Sequence, residues 1–267
     1  MTANLNKSAL EIRVDPEHGS SAGDPARFRT TRWSAILVAA ESRLPGSQEA
    51  LTELCRSYWY PLYAFARRRG HGPPDAQDLT QGFFLHLLER RALKQVHPQK
   101  GKFRSFLLAS FQNFLLDEAT RARCLKRGGN REFVFLDAED AESRYRFEPA
   151  DHLTAEKIFD ARWALTLLDR AVERLGQEYA SRGETARFEV LKVFVGIETG
   201  KGPPPYEEIA KSLGVGLGAA KTLIHRFRKH YGAILRQEIG RTVSDPADID
   251  QEIHALCDAL AAAEGRL

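Results

Sequence analysis

Cysteine is scarce: Cys55, Cys124 and Cys257 are odd in number and far apart. That spacing excludes a disulfide framework and a paired zinc-ligand set, so the thiols read as reduced and structural. Long apolar runs are missing too. The best candidates, such as Phe111 to Leu116, are broken by polar residues at helical spacing and fall far short of the ~20 residues a membrane span needs. No apolar secretion segment stands behind the N-terminal charges, so a cytoplasmic protein without membrane contact is expected. The HExxH pattern and close Cys/His clusters are absent, and neither a metal nor a cofactor is expected. GIETGKG, 196–202, is one residue short of a phosphate loop and has Gly202 where Ser or Thr would hold magnesium. The acids Asp137, Glu139, Asp140 and Glu142 resemble a metal-dependent hydrolase set in type only, because their segment shows no helical or strand scaffold. The chain is not expected to be an enzyme.

What is present is charge in blocks. Residues 87–131 hold eleven Lys/Arg against three Asp/Glu, and residues 201–241 hold eight against three. Between them, residues 132–160 hold nine acids against three bases. Two basic blocks around an acidic one point to two modules facing a polyanion and a linker that the polyanion repels.

The apolar periodicity is helical throughout, and the fold class is all-α: two helical domains joined by an acidic linker. Residues 1–27, rich in Pro, Gly and Ser, are expected to be disordered. The first domain spans 28–127, the linker 128–153, the second domain 154–240 and a C-terminal extension 241–267. In the first domain one helix starts near Thr30. A second runs from Ser47 through Leu51, Leu54, Tyr58, Leu62 and Phe65 to the arginines before Gly70. A third follows an Asp75 cap over Ala76 to Arg91. A fourth covers 102–127, where Phe103, Phe106, Leu107, Phe111, Phe114 and Leu115 nearly encircle the helix. One or two of its rings are expected to be open to bases. In the second domain Thr154 caps a helix to residue 180, and Phe188 and Leu191 mark another; in the extension Ile249, Ile253, Leu256 and Leu260 mark a terminal helix from Asp248 to Ala262 of no assigned role.

The segment from Tyr206 to Tyr231 has the spacing of a helix-turn-helix. Ile209, Ala210 and Leu213 face inward from a short helix. Gly214 supplies the turn, and Val215, Ala220, Leu223 or Ile224, and Phe227 face inward from the next. Lys221, Thr222, His225, Arg226, Arg228 and Lys229 are left for a phosphate backbone and a major groove.

In this order, YPLYAFARRRG with PDAQDLTQGFF, FRSFLLASFQNFLLDEATRAR, and YEEIAKSLGV with AAKTLIHRFRK resemble regions two and four of a sigma-70 family RNA polymerase sigma factor of the extracytoplasmic-function type. The resemblance implies partners: core RNA polymerase, promoter DNA and an anti-sigma factor. It implies that region two docks on polymerase and melts the minus-ten element, and that region four reads the minus-thirty-five element. Asp75, Asp78 and Gln81 are the polymerase-binding candidates. Arg104, Ser105, Asn113, Asp117, Arg121, Arg123, Lys126 and Arg127 are the region-two DNA candidates. Gly82 stands where an acid is common, Gly216 where a Ser cap is common, and Leu217 and Leu223 where polar residues are common. The alternative is a helix-turn-helix regulator that binds duplex DNA without being a polymerase subunit.

Overall fold

The computed structural model describes residues 47–89, 102–124, 138–146, 153–195, 204–243 and 245–264. The expected disordered segment 1–27, the helix from Thr30, and Lys126 and Arg127 lie outside these residues. All regular structure among the described residues is helical, as the periodicity requires. The helices are α1 (Ser47–Arg68), α2 (Pro73–Glu89), α3 (Phe103–Cys124), α4 (Ala138–Arg146), α5 (Ala155–Ser181), α6 (Thr185–Leu191), α7 (Tyr206–Leu213), α8 (Leu217–Gly240) and α9 (Ile249–Glu264).

The described chain divides into a larger unit, residues 47–164 with 240–264, and a smaller one, residues 165–239. In the larger unit α3 supplies the central aromatic wall. Phe111 meets Phe65 of α1 and Phe83 of α2, with ring centroids 6.0 and 5.0 Å apart, and Phe103 meets Tyr58 edge-on. Such edge-to-face pairs add to the apolar burial, which contributes roughly 1.5–3 kcal/mol per fully buried ring. Helix α1 stops where Gly70 takes φ 92° and its neighbours' amides return to the Phe65 and Ala66 carbonyls. Helix α2 starts two residues before the expected cap. The Gly72 carbonyl accepts from the Ala76 amide and Pro73 opens the first turn, where a missing N–H costs nothing. Asp75 therefore lies inside that turn, where its charge suits the dipole. The Thr154 cap forms as expected, its hydroxyl accepting from the Lys157 amide at 3.3 Å.

Two expectations are corrected here. The acidic stretch is not simply extended linker, because residues 138–146 are helix α4, folded into the larger unit. The Glu142 carboxylate takes both the Nε and the NH2 group of Arg67 at 3.0 Å, and the Tyr63 hydroxyl donates to it at 2.6 Å. Arg67 also lies over the Tyr145 ring, and Arg144 over the Tyr60 ring. Burial, with the hydrogen bond to Glu142, pushes the Tyr63 phenol well above its ordinary range. Burial would lower the Arg67 pKa, but Glu142 outweighs it and leaves the guanidinium held more firmly as a cation. Second, residues 153–164 and the C-terminal helix α9 belong to the larger unit, so the boundary falls inside α5. Burial also pushes the Cys55 thiol up to about 11, in keeping with an inert structural cysteine.

The smaller unit packs the second half of α5, α6 and the helix pair α7–α8 around Phe227. Tyr179, Phe188 and Phe227 form a ring cluster with centroids 5.5 to 6.1 Å apart. Gly176 lets α5 approach: a Cβ there would sit 3.0 Å from the Phe188 ring.

Candidate nucleic-acid interface

The α7–α8 pair forms the turn its sequence requires. Gly214 is left-handed, at φ 63° and ψ 33°, and its amide and that of Val215 return to the last carbonyls of α7. Nothing lies within 4 Å of a Cβ added at Gly214, so the demand is conformational. Gly214→Ala is expected to destabilise the smaller unit by about 1–2 kcal/mol, measured by denaturant unfolding, with Gly214→Asn costing less. Gly216 holds the cap position of α8, its carbonyl accepting from the Ala220 amide at 3.0 Å. Ile224 is the inward residue and Leu223 is only half-buried. With Ala220, Phe227 and Tyr231 also inside, the opposite face carries Leu217, Lys221, Thr222, His225, Arg226 and Lys229, all exposed.

Two expected cations of α8 are partly engaged within the unit. Arg228 is half-buried; its Nε donates to the Phe194 carbonyl at 3.4 Å and its guanidinium lies 5.3 Å from that ring's centre. It is better placed to brace the helix than to meet a phosphate. Lys221 lies 5.9 Å from the Tyr206 ring centre, which still leaves its ammonium at the surface.

In the larger unit, α3 turns Ser105, Ala109, Asn113, Leu116, Asp117, Thr120 and Arg121 outward in one stripe. The rings expected to meet bases do not join them: Phe103, Phe111 and Phe114 are buried and Phe106 is half-buried. Core packing against α1 and α2 takes that aromatic surface. Leu116, 62% exposed, is the large apolar side chain on the outer stripe, and its period gave no warning of it. Arg121 is exposed and pairs with Glu118 at 2.6 Å, an i,i+3 surface bridge of little energetic weight. The backbone of Arg123 continues α3, but its side chain lies outside the described set.

Arg104 is corrected outright as a candidate DNA contact. It is 9% exposed; its Nε donates to Glu252 of α9 at 2.7 Å, another nitrogen pairs with Asp160 of α5, and its guanidinium lies over Trp163. Lys102 pairs with the same Glu252, which is 1% exposed, at 2.6 Å. Burial holds the Asp160 carboxyl above its ordinary range although Arg104 pulls it down. A charge so deep must be paired, and α9 supplies the pair.

The match to a family model falls on this unit. Residues 54–124 match the family model described as sigma-70 region 2. The ECF RNA polymerase sigma factor SigE of Mycolicibacterium smegmatis (strain ATCC 700084 / mc(2)155) is 28% identical over 201 residues, covering 74% of this chain and 67% of that protein. Residues 54–124 thus carry a sigma-70 region 2, and the chain is similar to an extracytoplasmic-function sigma factor. No solved structure matches it. Sigma region 2 therefore comprises most of α1 with α2 and α3, buttressed by α4 and α9. On α2 the sigma region exposes Asp75 and Asp78, while Gln81 is half-buried and its amide nitrogen meets no hydrogen-bond partner among the described residues. Gly82 faces α3, where a Cβ would lie in van der Waals contact with the Phe114 ring, at 3.4 Å. Among the described residues no helix is long and apolar enough to cross a membrane, and no group of three or more His, Cys, Asp or Glu side chains could hold a metal.

Proposed function

We propose that this sigma factor binds core RNA polymerase, carries it to promoter DNA and assists strand opening, acting in the cytoplasm and contributing no catalytic group of its own. The observation that carries the reading is a sigma-70 region 2 on the same chain as a helix-turn-helix whose outer face is cationic. Nucleotide addition then belongs to the core enzyme, and this chain supplies placement.

The roles divide by unit. Asp75, Asp78 and Gln81 on α2 dock on polymerase. Ser105, Asn113, Asp117 and Arg121 on the outer stripe of α3 meet the opening strand, joined by Arg123, Lys126 and Arg127. A stripe of short polar side chains captures unstacked bases by hydrogen bonds to their edges, in place of the ring stacking that the buried phenylalanines no longer offer. The α7–α8 pair acts as region 4 and presents Lys221, Thr222, His225, Arg226 and Lys229 to the major groove and its phosphates. An anti-sigma factor is the remaining partner this type implies.

The test is initiation by core polymerase supplied with this chain alone. Transcription from a defined start on a selected promoter is expected. Duplex binding without any association with core would replace this reading by that of a simple helix-turn-helix regulator. Within the reading, Arg226→Ala is expected to weaken promoter binding by about 1–3 kcal/mol at one base-pair position if its guanidinium reads a base. A phosphate contact would instead lower affinity on every duplex and make the salt slope shallower by about 1. Titrations of promoter and scrambled duplexes at several salt concentrations separate the two.

A further inference from the structure

The leading turn of α8 is nearly bare of polar side chains. Gly216, Leu217, Gly218 and Ala219 are all exposed, and a Cβ added at either glycine would meet nothing within 4 Å. Leu217, 39% exposed, is the large side chain of that turn. One and two turns further along the same face stand Lys221 and His225, with Arg226 beside them. The neighbouring hydroxyl is occupied locally, Thr222 donating to the Gly218 carbonyl at 3.0 Å.

A protein partner that buried this turn would meet one leucine among cations and glycines, which makes a poor hydrophobic patch. A DNA duplex fits better. The cations match its phosphates, and the missing side chains at Gly216 and Gly218 let the backbone come close. The first turns of such a helix are those that enter the major groove. There the base edges present mainly polar donors and acceptors, and the one bulky apolar group among them is the C5-methyl of thymine. An isobutyl group set against a polar edge would desolvate it without a hydrogen bond, whereas against the methyl both surfaces leave water.

Resting on the duplex-binding role assigned above to α7–α8, we propose that Leu217 is a specificity-determining residue that selects thymine at one position of the promoter by contact with its C5-methyl group. The flanking glycines set the depth and the cations set the register.

The experiment starts with duplexes selected by the full chain bound to core polymerase. Each thymine in the enriched sequence is then replaced singly by deoxyuridine, which differs only by the methyl. At one position the change is expected to weaken binding about fourfold, the ratio equivalent to burying one methyl-sized group at ~0.8 kcal/mol. With Leu217→Ala the same replacement is expected to cost nothing, while binding to the unmodified duplex falls by a similar factor. Because Leu217 is exposed, this variant should melt like the parent, which a thermal scan checks. The inference is overturned if deoxyuridine is tolerated at every position, or if its cost persists in Leu217→Ala. Enrichment of no sequence at all overturns the duplex-binding role itself, and this inference with it.

Discussion

Glu252→Ala is expected to destabilise the larger unit by about 3 kcal/mol, the lower end of what removing one member of a buried ion pair costs. Glu252 is 1% exposed and faces Lys102 and Arg104 at once. Its removal leaves Arg104 inside with only Asp160, a carboxylate whose burial already opposes its charge. The effect stays at the low end because Lys102 is partly exposed and can turn to water. Urea unfolding followed by tryptophan fluorescence reads this directly, since Trp163 lies under the Arg104 guanidinium. Glu252→Gln should cost less, because its carbonyl oxygen still accepts from Arg104. The pair Arg104→Met with Glu252→Leu should also cost less than Glu252→Ala alone, because no unpaired guanidinium remains. A midpoint that Glu252→Ala leaves unmoved would show that α9 is not held by this cluster. Initiation should fall in step with the folded fraction, for α9 braces the start of the helix that carries the region-two stripe.

Phe227→Ala is expected to cost the smaller unit about 3–5 kcal/mol, the usual range for emptying a buried aromatic site. Phe227 is 1% exposed and touches the rings of both Tyr179 and Phe188, so the void opens at the centre of the cluster that holds α8 against α5 and α6. The exposed cations of α8 act only while that helix is fixed. Duplex binding should therefore be lost with the fold, and hydrogen exchange of the α8 amides should rise steeply. Arg226→Ala is the control, lowering DNA affinity while leaving that exchange as it was. Loss of binding in Phe227→Ala with unchanged exchange would mean that Phe227 acts in some way other than by holding the helix.

Much of the helical layout could be read along the chain because its signals are local. Alternation of apolar residues every three or four positions, the glycines at 70 and 214, and the Thr154 hydroxyl act within one or two turns, and the helices begin or end there. Leu223 and Ile224 could not be ranked, since adjacent residues on a helix both sit near the edge of an apolar stripe. Packing put Ile224 inside. The α3 phenylalanines showed the opposite difficulty. Apolar residues nearly all round a helix say that much of it is buried but not against what, and α1 and α2 took the rings that bases were expected to meet.

The sequence by itself determined the all-α class, the helix-turn-helix and its cationic outer face, and an order of motifs that resembles that of sigma factors. Only the tertiary structure decided the fate of its charges. Arg104 and Glu252 are 148 residues apart, and Arg67 and Glu142 are 75 apart, so no local period links them. Whether a cation faces solvent or a buried carboxylate depends on which distant helix comes to rest beside it. That is why a basic residue expected on DNA became an internal brace, an acidic linker became in part a docked helix, and a C-terminal extension became part of the sigma region's support.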